Sequence, residues 1–551
     1  MPNSRPQQTS FQNELSLGAV RPRQRKSGWM VTFNNWMVNE GRSRLFFALF
    51  IASQLGYFAW SYYQLWTSPT LVTFRTVLQH GLPMARAAAN VINLDCGIIL
   101  FTVCRNVISL MRTTFLNRII PFDKNITFHI WIAYSIAFWT FVHVIAHYFN
   151  YNNVRIALGV SAEYLSLVSG PGLTGQVISV SFFLIFTSAM EAVRRKYFEI
   201  FWFTHHLFLV FFGALLMHGS FCFIKGDSGD PCRGGPMFWK FWVGSAAFYL
   251  IERLWREISG RRKTYIFKVV QHPSKVVEVQ IKKNGWKMQA GQYIFICCPE
   301  IGLFEWHPFT LTSSPHEEFL SIHIRVVGDW TEKFAERVGC RFGGSSDNMP
   351  APDTLPYVMV DGPYGSASED VFDYEAAVLV GAGIGVTPFA SILKTIWFRI
   401  NNPTRAVPLK KVYFFWICRD KDAFEWFQDL LSTIEDENIS NFLEIHTYLT
   451  QKLKISEVKN IVINDGEDGR DAITGLKSRT QYGRPNWDQI FEALRVKHRA
   501  TDIGVFFCGP KVLSRTLHHT CNKWTEATED GTRLMCILRL SYIKPIITQQ
   551  T

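Results

Sequence analysis

At 551 residues the chain has room for two to four domains, and it carries a net charge of +12. That charge does not argue for nucleic acid, because much of the excess Lys and Arg flanks long apolar runs, where it sets membrane topology. The eleven cysteines show no C-x-x-C spacing, which argues against a zinc site and suits buried thiols in a reducing cytosolic part.

Residues 1–44 contain RPRQRKSG and no apolar run at the very start, so they are expected to form a basic, flexible cytosolic tail and not a cleaved signal. Residues 45–256 hold six apolar stretches of near-spanning length, at 45–66, 91–111, 128–150, 176–192, 200–220 and 238–255. Arg112, Arg118 and Lys124 follow the second, Arg194, Arg195 and Lys196 the fourth, and Arg261, Arg262 and Lys263 the sixth. The opposite connections are sparser, with Arg86, Arg155, Lys225 and Arg233, so both termini are expected in the cytosol of an integral membrane protein. Cys222 and Cys232 bracket a polar loop on the far side, and their pairing as a disulfide is left open.

The fifth stretch, IFWFTHHLFLVFFGALLMHG, carries His205, His206 and His218, and the third carries His129, His143 and His147. Histidine inside a span is costly and marks a functional site by default. Both stretches start on the cytosolic side and therefore run parallel, which puts His129 level with His205 and His143 level with His218. The separations are 14 and 13 residues, a rise of roughly 20 Å on each helix. Two stacked haems, each held by one histidine from each helix, match those heights. Fourteen residues keep His129 and His143 on one face, but neither His205 nor His206 is in phase with His218, so span five is expected to bend. Two histidines per iron leave oxygen, if it is the acceptor, to take its electron at the haem edge. A cation from Arg86 or His147 is placed to stabilise the product, and Phe211 falls midway between the two levels.

From Lys263 the pattern alternates: TYIFKVVQ, KVVEVQIK, GQYIFICC and FLSIHIRVV suggest a small antiparallel barrel. HPFTLTSSP from His307, HIRVVGDWT from His323 and DGPYG from Asp361 add rim hydroxyls, Arg325 and a glycine turn suited to a flavin diphosphate. AAVLVGAGIGVTPFASIL from Ala376 then runs an apolar strand into a glycine loop and a Thr-Pro helix start, the geometry for a pyrophosphate. The strands VYFFWICRD, HTYLT and IGVFFCGP alternate with helical segments and imply a parallel sheet with its ligand at the carboxyl ends. Arg419 there favours a 2′-phosphate and hence NADPH, and Cys508 is placed to face the nicotinamide.

HPFT, GAGIGVTP, WICRD, CGP and the paired histidines, in this order, resemble the NADPH oxidase family, closest to its phagocyte-type and fungal members, over residues 45–530. The resemblance implies a six-helix ferric-reductase-like haem bundle, a ferredoxin-reductase-like β-barrel FAD domain and an α/β NADPH domain, here at 45–256, 262–370 and 371–535. It implies electron flow from NADPH through FAD and two b-type haems to molecular oxygen, giving superoxide. It assigns His129 and His205 to the inner haem, His143 and His218 to the outer one, Arg86 and His147 to oxygen reduction, and Phe211 to the space between haems. His307, Pro308, Phe309, Thr310 and Arg325 match the flavin motifs. Gly381, Gly383, Gly385, Thr387, Pro388, Arg419, Cys508 and the GRPNW stretch at Gly483 match the nucleotide site.

The lack of calcium-loop patterns resembles members switched on by cytosolic activator proteins and a Rac-type GTPase, with a small membrane partner protein, at the plasma membrane or an endomembrane. Members usually end in a phenylalanine over the flavin, whereas residues 536–551 here are atypical, so a misassembled end or altered flavin shielding is expected. A ferric or cupric reductase sharing the whole electron path is the alternative enzyme, and a membrane scaffold or proton conductor with a relict reductase domain is the non-enzymatic one.

Overall fold

The computed structural model describes residues 29–221, 238–342, 354–402, 408–437, 441–451, 470–498, 501–525 and 539–540. The Cys222–Cys232 pair and the atypical end beyond residue 540 lie outside these. The described residues fall into two compact units, one within 43–262 and the other within 29–42 and 263–540. The tail expected to be flexible up to residue 44 is helical from Trp29, as Trp29–Trp36 followed by Met37–Gly41. Trp29, Met30, Phe33 and Trp36 recur at helical spacing, which explains the difference.

In the unit of 43–262 the principal helices are α1 (Arg42–Thr67), α2 (Gly81–Ile99), α3 (Asn125–Leu158), α4 (Gly170–Ser188), α5 (Phe198–His205), α6 (Phe208–His218) and α7 (Phe238–Gly260). Among the described residues five segments are long and apolar enough to cross a membrane: Asn39–Thr67, Gly81–Val103, Phe122–Leu158, Gly170–Ser188 and Phe198–His218. The expected sixth span forms α7 but is not among them, because any span-length stretch of it takes in several of Lys240, Glu252, Arg253, Arg256 and Glu257. Glu252 is buried and accepts from the backbone N–H groups of Asn106 (3.0 Å) and Val107 (3.3 Å), capping the helix Arg105–Arg112. Val91, Ile132, Ile136, Trp139, Phe211, Phe212 and Leu215 form the core of this unit. Phe138, Phe141 and Leu209 remain exposed, as lipid-facing side chains should.

The bend expected in span five is present as a break between α5 and α6. Thr204 Oγ1 donates to Ile200 O (2.5 Å) and His206 Nδ1 to Trp202 O (2.7 Å), so side chains crowd carbonyls that the helical ladder uses. The backbone N–H groups of His206, Leu207 and Leu209 turn to the carbonyls three residues back, and the four-residue ladder resumes at Phe211.

The second unit begins with two antiparallel sheets that together make the barrel. Strands β1 (Thr264–His272), β2 (Val276–Lys283) and β5 (Leu320–Arg325) form one, in the order β1-β2-β5. Strands β3 (Tyr293–Cys297), β4 (His307–Thr310) and β6 (Met359–Tyr364) form the other, in the order β4-β3-β6, and a Leu311–Ile322 bridge joins the two. Inward residues Val277, Val279, Ile281, Ile294, Ile296, Ile322 and Val360 fill it, with helix α8 (Asp329–Arg337) packed alongside through Trp330 and Phe334.

The remaining strands, β7 (Ala376–Ala382), β8 (Lys411–Cys418), β9 (Leu443–Leu449), β10 (Gln481–Tyr482), β11 (Ile503–Cys508) and β12 (Arg539–Leu540), make a parallel sheet ordered β10-β9-β8-β7-β11-β12. Helices α9 (Thr387–Asn401) and α10 (Gln428–Asp436) cover one face over Leu379, Phe414 and Trp416. Helices α11 (Trp487–Lys497) and α12 (Lys511–Trp524) cover the other, over Val378, Tyr413 and Val505. Strand runs such as Phe414-Phe415-Trp416 are buried on both faces, which is why they read as continuous apolar sequence.

The loop leading into β10 is organised by buried Asp471. Its carboxylate accepts from Thr474 N (2.9 Å), Thr474 Oγ1 (2.7 Å), Thr480 N (2.9 Å) and Thr480 Oγ1 (2.7 Å). Replacing it with alanine strands several buried donors and is expected to cost about 2–4 kcal/mol. A lowered midpoint in urea unfolding, followed by tryptophan fluorescence, checks this.

Candidate functional site

The four span histidines meet in two pairs. The rings of His129 and His205 have centres 6.3 Å apart, and so do those of His143 and His218. An imidazole nitrogen about 2 Å from a shared metal on each side, plus about 1 Å from nitrogen to ring centre, gives centres about 6 Å apart. Both pairs therefore fit an iron held between two imidazoles.

The ring nitrogens away from that gap are fixed. Thr102 Oγ1 donates to Ile99 O (2.5 Å), which leaves its oxygen to accept from His129 Nδ1 at 2.9 Å. Thr174 does the same, donating to Gly170 O (2.7 Å) and accepting from His218 Nδ1 at 3.0 Å. His143 Nδ1 donates to Ala85 O at 2.8 Å. All three are thus held as the tautomer protonated at Nδ1, leaving Nε2 with the lone pair a metal requires. His205 Nδ1 is buried without a partner. His206 is turned to Trp202 O and does not join a pair. Thr102 and Thr174 were not singled out in the sequence, because they stand 27 and 44 residues from the histidines they serve and only the fold brings them together.

Two of the remaining candidates of this unit, His147 and Arg86, are tied to the second pair. His147 stands edge-on to His143 with ring centres 4.5 Å apart, and Arg86 follows the Ala85 whose carbonyl holds His143. Phe211 is buried and packs on Phe182 (5.8 Å) and Phe212 (5.3 Å).

In the barrel, β4 pairs with β3 and presents His307, Pro308, Phe309 and Thr310. His307 stacks on Trp330 at 4.1 Å, and burial pushes its imidazole down to about 4, so it is neutral. Its Nδ1 is buried without a protein partner, as suits a nitrogen that serves a ligand. Arg325 ends β5 and is exposed. The neighbouring hydroxyls do not reach a rim. Thr312, Ser313 and Ser314 are buried. Ser391 Oγ of α9 donates to Ser313 O (2.6 Å), and Ser314 Oγ meets Thr395 Oγ1 of the same helix at 3.3 Å. This cluster therefore fastens barrel to nucleotide sheet and corrects the expectation that it holds the flavin diphosphate. Thr310 Oγ1 also donates to Thr387 Oγ1, the first residue of α9, at 2.5 Å.

The nucleotide candidates collect at the carboxyl ends of β7, β8 and β11, where the strand order reverses between β7 and β11. Gly381 and Gly383 close the β7 turn, Thr387 and Pro388 open α9, and exposed Arg419 follows β8. A Cβ on Gly385 would stand 2.3 Å from Cys508 O and 3.3 Å from Cys508 Sγ, so only glycine lets the loop lie against the end of β11. Burial pushes the Cys508 thiol up to about 12, which keeps it protonated. Gly483 N donates to Leu449 O (2.9 Å), bringing the GRPNW stretch to the same edge, and Asn486 caps α11 through Gln489 N (3.3 Å).

Residues 95–216 match the ferric reductase like transmembrane component family, 261–368 the FAD-binding domain family, and 374–522 the ferric reductase NAD binding domain family. A superoxide-generating NADPH oxidase heavy chain of Dictyostelium discoideum is 41% identical over 513 residues, covering 90% of this chain and 96% of that one. The chain belongs to the NADPH oxidase family. NADPH oxidase 1 of Mus musculus is 38% identical, with 90% of this chain and 93% of that one covered, and NADPH oxidase 3 of Homo sapiens is 38% identical, with 90% and 98% covered. Among solved structures, a ferredoxin NADP+ reductase from Neisseria gonorrhoeae is 15% identical and covers 48% of this chain and 92% of that one at a TM-score of 0.33. As a member of an oxidoreductase family, the chain is an integral membrane enzyme with FAD- and NADPH-binding domains.

Gly385→Ala is expected to displace the glycine loop and raise the NADPH dissociation constant at least tenfold at unchanged flavin content. Fluorescence titration of the flavin-loaded protein with NADPH measures both.

Proposed function

We propose that this protein carries electrons from cytosolic NADPH through FAD and two bis-histidine haems to molecular oxygen on the far side of the membrane, releasing superoxide. The observation that carries the reading is the pair of histidine gaps, each with 6.3 Å between ring centres, three of whose four imidazoles are held with Nε2 free. One NADPH supplies two electrons, so two oxygen molecules leave as superoxide while NADP⁺ and one proton remain behind.

Bound FAD and haem supply the change from a two-electron donor to single-electron transfer across the bilayer. The protein supplies position and tautomer. His129 with His205, and His143 with His218, would hold the haem irons, and Thr102, Thr174 and the Ala85 carbonyl keep the proton-bearing nitrogens of His129, His218 and His143 turned away. Two histidines per iron would leave oxygen no open ligand position, and Arg86 and His147 beside the second pair would offer it positive charge and a proton. Phe211 fills the core between the two levels. His307, Pro308, Phe309, Thr310 and Arg325 seat the flavin. Gly381, Gly383, Gly385 and Thr387 present backbone N–H groups to the pyrophosphate, Pro388 fixes the first turn of the helix behind them, Arg419 takes the 2′-phosphate, and Cys508 lies beside the nicotinamide.

The finer assignments belong to the same proposal: domains at 45–256, 262–370 and 371–535, both termini in the cytosol, and a plasma membrane or endomembrane location. The proposed partners are cytosolic activator proteins, a Rac-type GTPase and a small membrane protein, on the strength of the family resemblance drawn above.

Adding NADPH to purified, flavin-loaded protein without oxygen is expected to produce a reduced b-type haem spectrum that collapses when oxygen is admitted, with a dismutase-sensitive signal. His129→Leu with His205→Leu is expected to remove about half of the haem absorbance and all superoxide. Ready reduction of ferric chelates without superoxide would instead identify a metal reductase. Thr174→Val is expected to weaken haem retention roughly 10–100-fold, read as haem per polypeptide after detergent dilution.

A further inference from the structure

At the seam between barrel and nucleotide sheet, three barrel strands bring His272, Glu278 and His323 together. Glu278 and His323 are partners in the β2–β5 register, and His272 is the last residue of β1. The two imidazoles stack with centres 5.3 Å apart. Glu278 Oε2 lies 3.5 Å from His272 Nε2 and 4.0 Å from His323 Nε2. His323 is anchored from behind by the Thr312 hydroxyl, 3.0 Å from its Nδ1. His272 instead turns its Nδ1 to the nucleotide domain, 3.2 Å from Glu425 Oε2. Its two successors grip the same segment. Pro273 O accepts from Trp426 Nε1 (3.1 Å), and Ser274 Oγ donates to Asp420 Oδ2 (2.8 Å). That segment, Lys421–Phe427, is capped by Asp420, the residue directly after Arg419.

We propose that His272, bridging Glu278 and Glu425 through its two ring nitrogens, is a positioning residue that locks the Lys421–Phe427 segment to the barrel and so holds Arg419 in reach of the 2′-phosphate of NADPH. The proposal rests on the nucleotide role given to Arg419 above. Nδ1 is hydrogen-bonded to Glu425, while Nε2 makes no hydrogen bond and meets Glu278 as an ion pair at 3.5 Å, so a carboxylate on each side of the ring favours the imidazolium. Burial works against that proton, but the Glu278 and Glu425 carboxylates on either side outweigh it and hold His272 above the usual imidazole value. Burial pushes the Glu278 carboxyl up, yet His272, His323, Gln280 and Lys394 together bring it down to about 2. His323, pushed by burial to about 3, stays neutral, so the proton of the stacked pair sits on His272. The charged and titratable groups facing the cluster are Glu278 from β2, His323 from β5, Lys394 from α9 and Glu425 from the locked segment. Because the locked pKa is raised, the lock is fully present below the ordinary histidine value of about 6.5 and is lost as pH rises through the raised one.

Anaerobic stopped-flow reduction of the flavin in the full-length holoenzyme, with NADPH and with NADH between pH 6 and 9, tests the lock without involving haem or oxygen. H272Q and E425Q are each expected to raise the NADPH dissociation constant roughly three- to fivefold, the scale of one partly exposed ion pair. The limiting rate, flavin content and NADH constant should stay unchanged, and the rise of the NADPH constant at alkaline pH should disappear. The double variant should be no worse than either single one. Should H272Q fail to fold, E425Q carries the test alone, because the Glu425 side chain is 47% exposed. Equal weakening for both nucleotides, an alkaline rise that survives in the variants, or an effect of chelator reversed by zinc would overturn the proposal. Arg419→Ala separates it from the reading beneath. If that change spares NADPH binding, the nucleotide assignment has failed, whereas NADPH-selective weakening with silent His272 and Glu425 variants rejects the lock.

Discussion

An imidazole buried in a bilayer has two nitrogens to satisfy and no water to do it, and the membrane unit is arranged around that demand. Each threonine that serves a histidine gives its own proton to a carbonyl, Thr102 to Ile99 and Thr174 to Gly170, and is left able only to accept. The hydroxyl thereby dictates which nitrogen of the ring carries the proton. At His143 the Ala85 carbonyl does the same work with no side chain at all. An unsatisfied polar group in hydrocarbon costs several kcal/mol, so the opposite Nε2 atoms, left with lone pairs across a shared gap, are the remaining debt that a haem iron discharges in the proposed function.

The unit of residues 29–42 and 263–540 solves a different problem, which is to hold two cofactor-binding folds in one fixed relation. Its answer is a row of buried hydroxyls. Thr310 meets Thr387 (2.5 Å), Ser391 meets the Ser313 carbonyl (2.6 Å) and Ser314 meets Thr395 (3.3 Å), all along helix α9. That helix is the one whose first turn the glycine loop enters, so the barrel is fastened to the element proposed to receive the pyrophosphate. The close approach of Gly385 to the Cys508 carbonyl fixes the other side of the loop.

The fold class and most of the candidate site were legible in the residues, because histidines in apolar runs and glycine loops after strands are local signals. What was hidden depended on contact. The choice of His205 over His206 rests on which ring faces His129, and phase counting on an ideal helix left both open. The Thr-Ser cluster after HPFT looked like a ligand rim because composition does not say that Ser313 and Ser314 are buried under α9. The stretch 238–255 reads as a span because its charges fall near its two ends, and only the burial of Glu252 beneath two backbone N–H groups gives one of them a purpose. Residues 29–41 were read as tail from their basic neighbours, although their aromatic spacing is helical. Asp95, fully buried and bonded by Gln54 at 2.8 Å, was passed over although a carboxyl within an apolar run is as strong a signal as a histidine.

The break between α5 and α6 has a meaning beyond phase. A continuous helix would tie the two histidine levels into one rod, and any twist that improved one pair would spoil the other. With the ladder interrupted at His206 and Leu207, each half of the span behaves as a separate mount on a swivel. Sequence drift on either mount is then filtered by its own histidine pair alone, and in the proposed function the two haem sites are free to acquire different potentials from the same stretch of chain.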